Sequence, residues 1–471
     1  MSLVHIHAIV VSTLGVSPQP FQPEQAVPGQ LIIMPSAQAR NAGDTIGGFP
    51  IIERSVWGTA LLVAVPQGRE ANAARAVASL EGVISAEPNA IGNGSGFHMT
   101  GPDDTFFGDQ WHHSNTGQAG GTPGADIETL AAWQYTAGDA STVIAVLDTG
   151  IDSDHADFAG RVLPNGYDFI NEDADPEADH VHGPQVTACL LANADNAFGV
   201  AGVDLKASVL PIKVLNISNR GTTFDLIQGI DFAAARSDVH IISMSLINYP
   251  GDDALRASLD NALAAGKVLI SCGANNGGIA DVSWPGASPA TITIGSTTRT
   301  DERASFSGRG ASIDFVAPGQ GIVTIEPFTN EDRSDLVSGC SFATPIAAGV
   351  AGLIRAEALR LGVPFTQQLV IDMLAAGAED QVGNPFEDTP GRDDFMGRGR
   401  INARATLHAM QREFGCLGDT NRDGRATLND FTAWVLAFNT AHLPRCDQDG
   451  DGACQPADFG AWVQNFGDGC R

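Results

Sequence analysis

The sequence predicts an α/β protein whose main domain is a doubly wound parallel sheet. Short apolar runs such as STVIAVL (141–147) and VHIISMS (239–245) alternate with helical patterns between residues 105 and 410. A smaller set of strand-like and helical runs precedes this region at 29–89, and a duplicated loop–helix pattern follows it at 416–471. Continuous apolar strands between helices are typical of a parallel sheet covered on both faces, with an active site at the carboxyl ends of its strands.

The composition excludes several classes of protein. Of the 471 residues 43% are hydrophobic and 17% charged, which supplies a large core and excludes a wholly disordered chain. The net charge of −29 repels phosphate backbones, so no nucleic-acid partner is expected. No run reaches about 18 apolar residues, so we expect no transmembrane segment.

Residues 1–28 are interpreted as a signal peptide and a linker. The apolar run LVHIHAIVVSTLGV (3–16) has the length of a secretion signal, but it lacks a basic n-region and a clear cleavage site. A first strand or an irregular start therefore stays open as an alternative. The Pro-rich segment that follows is typical of a linker.

Residues 29–104 form the next predicted segment, a small α/β unit with an exposed linker. GQLIIMP, TALLVAVP and VISAEPN are strand-like, and EANAARAVASLEGV is helical. The Gly-, Asn- and Ser-rich stretch at 91–104 predicts a site that proteases reach easily.

Three motifs of the main domain, which we bound at 105–415, carry residue types suited to nucleophilic catalysis. Asp148 ends the strand run VIAVLD, His182 opens the helical run HGPQVTACLLA, and Ser341 begins a long apolar helical run. A serine hydroxyl needs an imidazole to take its proton, and a carboxylate fixes the tautomer of that imidazole. Each motif alone also fits a turn residue or a helix cap. The chain order Asp, His, Ser favours catalysis, because subtilisin-type sites have it.

These motifs resemble those of the subtilisin family of serine proteases, the subtilases, over about 105–410. LDTGID matches the family's Asp motif, HGPQVTA matches HGTxVAG with Pro184 in place of Thr, and GCSFATP matches GTSxAxP with Cys340 in place of Thr. The segment CGANNGG (272–278) resembles AAGNxG, and ISMSL (242–246) resembles the strand that binds the substrate backbone.

The resemblance implies a subtilisin-type serine endopeptidase acting on protein or peptide substrates. Asp148, His182 and Ser341 would form the triad, and Asn275 would stabilise the oxyanion. The implied substrate-binding residues are Ser245, Leu246, Ile247, Gly273 and Ala274. Residues 29–104 resemble the propeptide of secreted subtilases, which acts as chaperone and inhibitor and is removed by cleavage in the linker.

Residues 416–471 contain two twelve-residue loops with a metal-ligand pattern. Calcium takes oxygen ligands from loop positions 1, 3, 5, 7 and 12, with Gly at position 6 and a backbone carbonyl at position 7. Gly424 and Gly452 hold position 6. The predicted ligands are Asp419, Asn421, Asp423, Arg425 and Asp430 in loop one and Asp447, Asp449, Asp451, Ala453 and Asp458 in loop two.

One helical run follows each loop, and this duplication resembles the dockerin family. The resemblance implies a calcium-dependent module that docks onto a cohesin-like or cell-surface partner. Calcium in the protease domain is also expected by analogy, without assigned ligands.

The seven cysteines divide into two groups. Cys189, Cys272 and Cys340 are scattered through the main domain and are expected as free thiols. The other four crowd into residues 416–470, and four cysteines allow three pairings. Our first choice is Cys416–Cys470 with Cys446–Cys454, which favours an oxidising, extracellular compartment.

The sequence thus predicts a secreted serine endopeptidase, extracellular or associated with the cell surface. Removal of a propeptide would mature it, and a calcium-dependent tail would anchor it. The alternative is a catalytically impaired, subtilase-like binding protein that acts mainly through its C-terminal module.

Overall fold

The structure is a computed structural model that describes residues 26–36, 43–55, 60–67, 69–80, 82–90, 101–277, 282–329, 331–420 and 428–468. These residues belong to two compact units, one within residues 1–96 and the other within 97–471.

The first unit is a five-stranded antiparallel sheet with one helix. The strand order is β2-β3-β4-β1-β5. Leu31 and Ile33 alternate with exposed residues on β1, and they pack with Val63 and Val77 in one core. The elements are β1 (Ala26–Pro35), β2 (Thr45–Ile46), β3 (Phe49–Arg54), β4 (Leu61–Ala64), α1 (Glu70–Ala78) and β5 (Val83–Ala90).

The second unit contains the predicted parallel sheet. Its seven strands have the order β12-β11-β10-β9-β6-β8-β7, and every neighbouring pair is parallel. An antiparallel pair, β13 (Gln320–Ile325) and β14 (Ser334–Ser338), follows it. The strands of the sheet are β6 (Val143–Asp148), β7 (Tyr167–Asp168), β8 (Ser208–Lys213), β9 (Ile241–Met244), β10 (Val268–Cys272), β11 (Ile292–Thr297) and β12 (Phe315–Pro318).

Helices cover both faces of this sheet, so the predicted doubly wound arrangement is confirmed. Successive side chains of a strand point to opposite faces. On β6, Ile144 and Val146 belong to the core cluster that contains α3 (His182–Leu191) and α6 (Cys340–Leu361), whereas Ala145 and Leu147 belong to the cluster that contains α4 (Thr223–Ala235) and α5 (Asp253–Ala264). The helices are α2 (Thr129–Ala132), α3 (His182–Leu191), α4 (Thr223–Ala235), α5 (Asp253–Ala264), α6 (Cys340–Leu361), α7 (Gln367–Gly377) and α8 (Ala403–Phe414).

The helix α6 is the central helix of the larger core. It is long and apolar enough to cross a membrane by length and composition, but 94% of its most apolar window is buried inside the protein. Such burial is typical of a core helix, because a helix that is hydrophobic all round needs apolar neighbours on every side.

The C-terminal residues of the second unit form three helices, α9 (Leu428–Asn439), α10 (Leu443–Cys446) and α11 (Ala457–Asp468). Trp434 of α9 and Trp462 of α11 are buried between them and lie 6.3 Å apart by ring centroids. These C-terminal residues contact α8 through Arg404. Nε of Arg404 donates to Glu128, and Nη1 of Arg404 lies 3.5 Å from Oδ2 of Asp447. Arg404 therefore bridges an acidic residue of the main domain and the first residue of loop two.

Candidate active site

The sheet topology brings three of the predicted site segments to one edge. The strands β6, β9 and β10 are neighbours, and all three run in the same direction. Asp148 is the last residue of β6, Ser245 follows β9 directly, and Asn275 lies three residues after the end of β10. The carboxyl ends of parallel strands meet at one edge, so these residues converge although 127 positions separate the first from the last.

Asp148 and His182 form a hydrogen-bonded pair. Nδ1 of His182 lies 2.7 Å from Oδ1 of Asp148, which also accepts the backbone N–H of Thr149 at 2.7 Å. Burial of the His182 ring lowers its pKa, but the attraction of the Asp148 carboxylate and its hydrogen bond outweigh burial. The net effect raises the pKa of His182 above its ordinary value of 6.5.

The start of α3 is fixed against the loop that follows Asp148. The N–H of Gly183 donates to Oγ1 of Thr149 at 2.8 Å, and this hydroxyl donates to the carbonyl of His180 at 3.0 Å. Pro184 lies in the first turn of α3, where its missing N–H needs no partner. The departure of this motif from the usual HGT sequence is therefore compatible with a helix that begins at His182.

Ser341 is the second residue of α6 and lines the same cleft as His182. Its side chain is tied to the strand edge, because Oγ of Ser341 lies 3.5 Å from the Ser245 carbonyl and Oγ of Ser245 donates to the Ser341 carbonyl at 2.8 Å. Within the described part of the chain, no hydrogen bond joins Ser341 to His182. Catalytic hydrogen bonds are often long in ligand-free enzymes and tighten when substrate binds.

Asn275 lies at the rim of the cleft, exposed to solvent. Its Oδ1 accepts the backbone N–H of Cys340 at 2.8 Å, so Nδ2 is the donor that remains for a ligand. The preceding residue, Ala274, has a φ of +75°, a left-handed conformation that costs a non-glycine residue roughly 1–2 kcal/mol. Such strain at a site persists where the surrounding contacts hold the segment in place.

The predicted substrate-binding residues divide into two groups. Ser245, Leu246 and Ile247 line the cleft beside Ser341, as expected for a substrate-binding strand. Gly273 and Ala274 are buried, and neither is among the residues that line the cleft.

Another part of the cleft wall was not predicted from the sequence. The segment 219–223 and the residues Asn248, Tyr249 and Pro250 also line it. Arg220 is an exposed cation of this wall. Its position between β8 and α4 was the available signal, since loops at the carboxyl ends of parallel strands carry site residues.

The expectation of free thiols at Cys272 and Cys340 was wrong. The two residues form a disulfide with a Cα–Cα distance of 5.4 Å. Cys272 ends β10 and Cys340 begins α6, so the fold places side by side two residues that are 68 positions apart. Cys189 is a buried free thiol, as expected, and burial raises its pKa to about 12.

The C-terminal module contains the predicted Cys446–Cys454 disulfide. Cys416 is also disulfide-bonded, but its expected partner Cys470 lies outside the described residues. Of loop one, Asp419 and Asp430 are described and buried, while Asn421, Asp423 and Arg425 lie outside the described residues.

Loop two brings several of its predicted ligands close together. Carboxylate oxygens of Asp447, Asp449 and Asp451 lie within 4.8 Å of one another, and Asp458 is fully buried beside the loop backbone. Burial raises the pKa of Asp447 to about 6, against the opposing effects of the Gly450 N–H and Arg404. An oxygen-rich cluster of this kind suits a hard cation.

A second carboxylate group joins the end of the predicted linker to the main domain. Asp103, Asp104 and Asp195 bring oxygens within 4.8 Å of one another. Asp104 is buried and accepts the N–H of Asp195 at 2.8 Å, so the last residue of the linker that we expected to be exposed packs against the loop after α3.

Comparison with known proteins gives a consistent result. The model of the subtilase family matches residues 139–391. Thermitase of Thermoactinomyces vulgaris is 32% identical over 277 residues, which cover 59% of this chain and 92% of thermitase. The cell wall-associated protease of Bacillus subtilis is 32% identical over 319 residues, but the chain spans only 35% of that protein's length.

A solved structure agrees with these relatives. A protease of Pseudoalteromonas arctica superposes with a TM-score of 0.56 at 25% identity, covering 66% of this chain and 99% of the other. The subtilase match includes Asp148, His182, Asn275 and Ser341, the residues that the fold gathers at one edge of the sheet. The chain therefore belongs to the subtilase family, and its main domain is that of a subtilisin-type serine endopeptidase.

Proposed function

We propose that this protein is a secreted serine endopeptidase that hydrolyses protein or peptide substrates, with Ser341 as its nucleophile. The observation that carries the proposal is the 2.7 Å contact of His182 Nδ1 with Asp148 at the cleft that Ser341 lines. An imidazole held in this way keeps Nε2 free to accept a proton.

The chemistry follows from these positions. Oγ of Ser341 bonds to the substrate carbonyl carbon while Nε2 of His182 takes the hydroxyl proton. The oxyanion accepts hydrogen bonds from Nδ2 of Asn275 and the backbone N–H of Ser341. The C–N bond then breaks, and His182 gives its proton to the leaving amine. Water, activated by His182, hydrolyses the ester on Ser341 by the same steps.

Labelling with a fluorophosphonate probe tests this proposal, because the probe traps an activated serine. We expect labelling of the folded protein that is lost in both Ser341→Ala and His182→Ala. Absence of labelling in processed, folded protein would favour the alternative, a binding protein that acts through its C-terminal module.

We further propose that residues 29–104 are a propeptide that chaperones and inhibits the protease. The support is a compact first unit with a core of its own, followed by a Gly- and Ser-rich linker at 91–104. Active protein should yield fragments of roughly 10 and 39 kDa, scaled from residue counts. Purified Ser341→Ala protein should stay full-length, and its cleavage at the same site would exclude self-processing.

The C-terminal residues 416–471 are proposed to be a calcium-dependent anchoring module. Loop two supplies suitable oxygen donors, and Phe431, Leu436, Phe459 and Val463 expose apolar surface on the helices that follow the loops. We propose a cohesin-like or cell-surface partner for this surface. The test compares retention of the full chain on the producing cells with that of a chain ending at residue 415. Retention that needs both the module and calcium supports anchoring, and equal release of both chains excludes it.

A further inference from the structure

The disulfide between Cys272 and Cys340 joins the two segments that carry the proposed oxyanion donors. Cys272 is three residues before Asn275, and Cys340 directly precedes Ser341. Both cysteines are fully buried. The bond therefore joins the end of β10 to the start of α6 inside the protein, and neither cysteine lines the cleft.

A hydrogen bond connects the same two segments a second time. The N–H of Cys340 donates to Oδ1 of Asn275 at 2.8 Å. The covalent bond and the hydrogen bond thus close one small ring that contains residues 272–275 and residue 340. The two donors, Nδ2 of Asn275 and the N–H of Ser341, extend from this ring.

The ring contains the strained residue of the segment. Ala274 keeps a φ of +75° between the disulfide and Asn275. Gly273 has no room for a side chain, because an added Cβ would lie 2.6 Å from Ile313 and 2.9 Å from the Ile294 carbonyl. The backbone from Cys272 to Asn275 therefore has few alternative conformations. Because the disulfide fixes Cys272, it also limits the positions that the side-chain amide of Asn275 can take.

We propose that the Cys272–Cys340 disulfide is a positioning device that sets the separation of the two oxyanion donors. The inference rests on the proposed function, because it concerns the rate of the same hydrolysis. The donors act on charge that develops in the transition state, so a loss of position affects kcat more than KM. A misplacement of about 1 Å costs roughly a hundredfold in rate.

The test is the double variant Cys272→Ala/Cys340→Ala, measured with a chromogenic peptide amide. We expect kcat to fall about ten- to hundredfold, with KM changed by less than about twofold. The inhibition constant of a peptide boronate, which mimics the tetrahedral state, should rise by the same factor as kcat/KM falls. The matched control is Cys446→Ala/Cys454→Ala, which removes a disulfide far along the chain and should leave kcat unchanged.

Fluorophosphonate titration counts competent sites, so that kcat refers to folded enzyme only. Unchanged kcat per titrated site in the double variant would overturn the inference. If this variant does not fold, Cys272→Ser/Cys340→Ser takes its place, since serine is close to cysteine in size and cannot form the bond. Failure of the proposed function itself would appear as absence of turnover in the unmodified enzyme.

A separate observation concerns the charge of the cleft. Arg220 is exposed in the cleft wall, and no acidic side chain of the described residues forms an ion pair with it. The residues that line the cleft include no Asp or Glu. A guanidinium without an ion-pair partner, in the same cleft as the nucleophile and in a chain of net charge −29, is a local site for a carboxylate.

We infer that Arg220 selects substrates with an acidic residue near the scissile bond. The test uses peptides that differ only by Glu, Gln or Lys at successive positions before that bond. At one position, kcat/KM should favour Glu over Gln by about two- to fivefold at low salt, the range for an exposed ion pair. Arg220→Gln should abolish this preference and Arg220→Glu should reverse it. Arg412→Gln, at an exposed site on α8, is the control and should retain it. An unchanged Glu preference in Arg220→Gln would overturn the inference, while hydrolysis of neutral peptides would still support the proposed function.

Discussion

The amide of Asn275 illustrates how single side chains decide the chemistry of this site. Its Oδ1 is engaged by Cys340, which leaves Nδ2 as the donor for an oxyanion. Loss of one such donor typically costs roughly 2.7–4 kcal/mol of barrier. We therefore expect Asn275→Ala to lower kcat by about two to three orders of magnitude while KM and the circular dichroism spectrum stay unchanged. An unaltered kcat would remove Asn275 from this role.

The protonation of His182 should determine how activity depends on pH. The ring must be neutral to accept the proton of Ser341, and Asp148 raises its pKa above 6.5 despite burial. Since the neutral fraction grows as pH rises through this pKa, kcat/KM should increase along an acid limb whose midpoint lies above pH 6.5. Asp148→Asn should move this midpoint to lower pH and lower kcat about 10⁴-fold, because the tautomer is lost. An acid limb that stays in place in the variant would contradict this assignment.

For single residues, the sequence predicted the functional groups that lie in local motifs. It did not predict pairs of residues that are distant in the chain. Asp148, His182 and Ser341 were identified from their neighbours in the chain. The disulfide of Cys272 with Cys340 was missed because it depends on β10 and α6 lying side by side, 68 positions apart. Arg220 was missed because a loop cation has no periodic signature.

The start of the helix α3 has no room for a side chain at position 183. A Cβ on Gly183 would lie 2.1 Å from the Gly150 carbonyl and 2.9 Å from Oγ1 of Thr149. We expect Gly183→Ala to shift this turn, to lower kcat more than tenfold by moving His182, and to cost roughly 1–3 kcal/mol of stability through overpacking. Gly460→Ala in α11, where nothing lies within 4 Å of the new Cβ, is the control. Thermal unfolding and kcat are the measurements, and equal behaviour of the two variants would contradict the steric argument.

The elements that the sequence predicted are those with simple patterns. Central parallel strands such as β6 and β10 are buried along their full length, and they appear as continuous apolar runs. The short strand β2 and the largely exposed β3 and β14 were not predicted, because solvent-facing strands in antiparallel pairs lack such runs. These strands form because neighbouring strands pair with them in the folded protein, and their own residues carry no pattern that indicates this pairing.

The free energy of unfolding of the full chain should increase when calcium binds. Binding to the folded state alone adds about 2.7 kcal/mol at a hundred times Kd. We expect calcium to raise the Tm of the Ser341→Ala protein and chelation to lower it. Asp449→Asn/Asp451→Asn should weaken this response, since both carboxylates belong to the loop-two group. The same concentration of magnesium is the control, because magnesium prefers a stricter geometry. A Tm that calcium leaves unchanged would argue against the calcium sites.

The bridge formed by Arg404 has a mechanical consequence. If residues 416–471 hold the enzyme on a surface, a pull on the protein reaches the main domain through the backbone after α8 and through the contacts of Arg404 with Asp447 and of the Leu443 N–H with Gln134. Neither Arg404 nor Gln134 lines the cleft, and neither belongs to the segments that the Cys272–Cys340 disulfide joins. A force on an enzyme held in this way would therefore reach the main domain at α8 and Gln134, away from the residues that line the cleft.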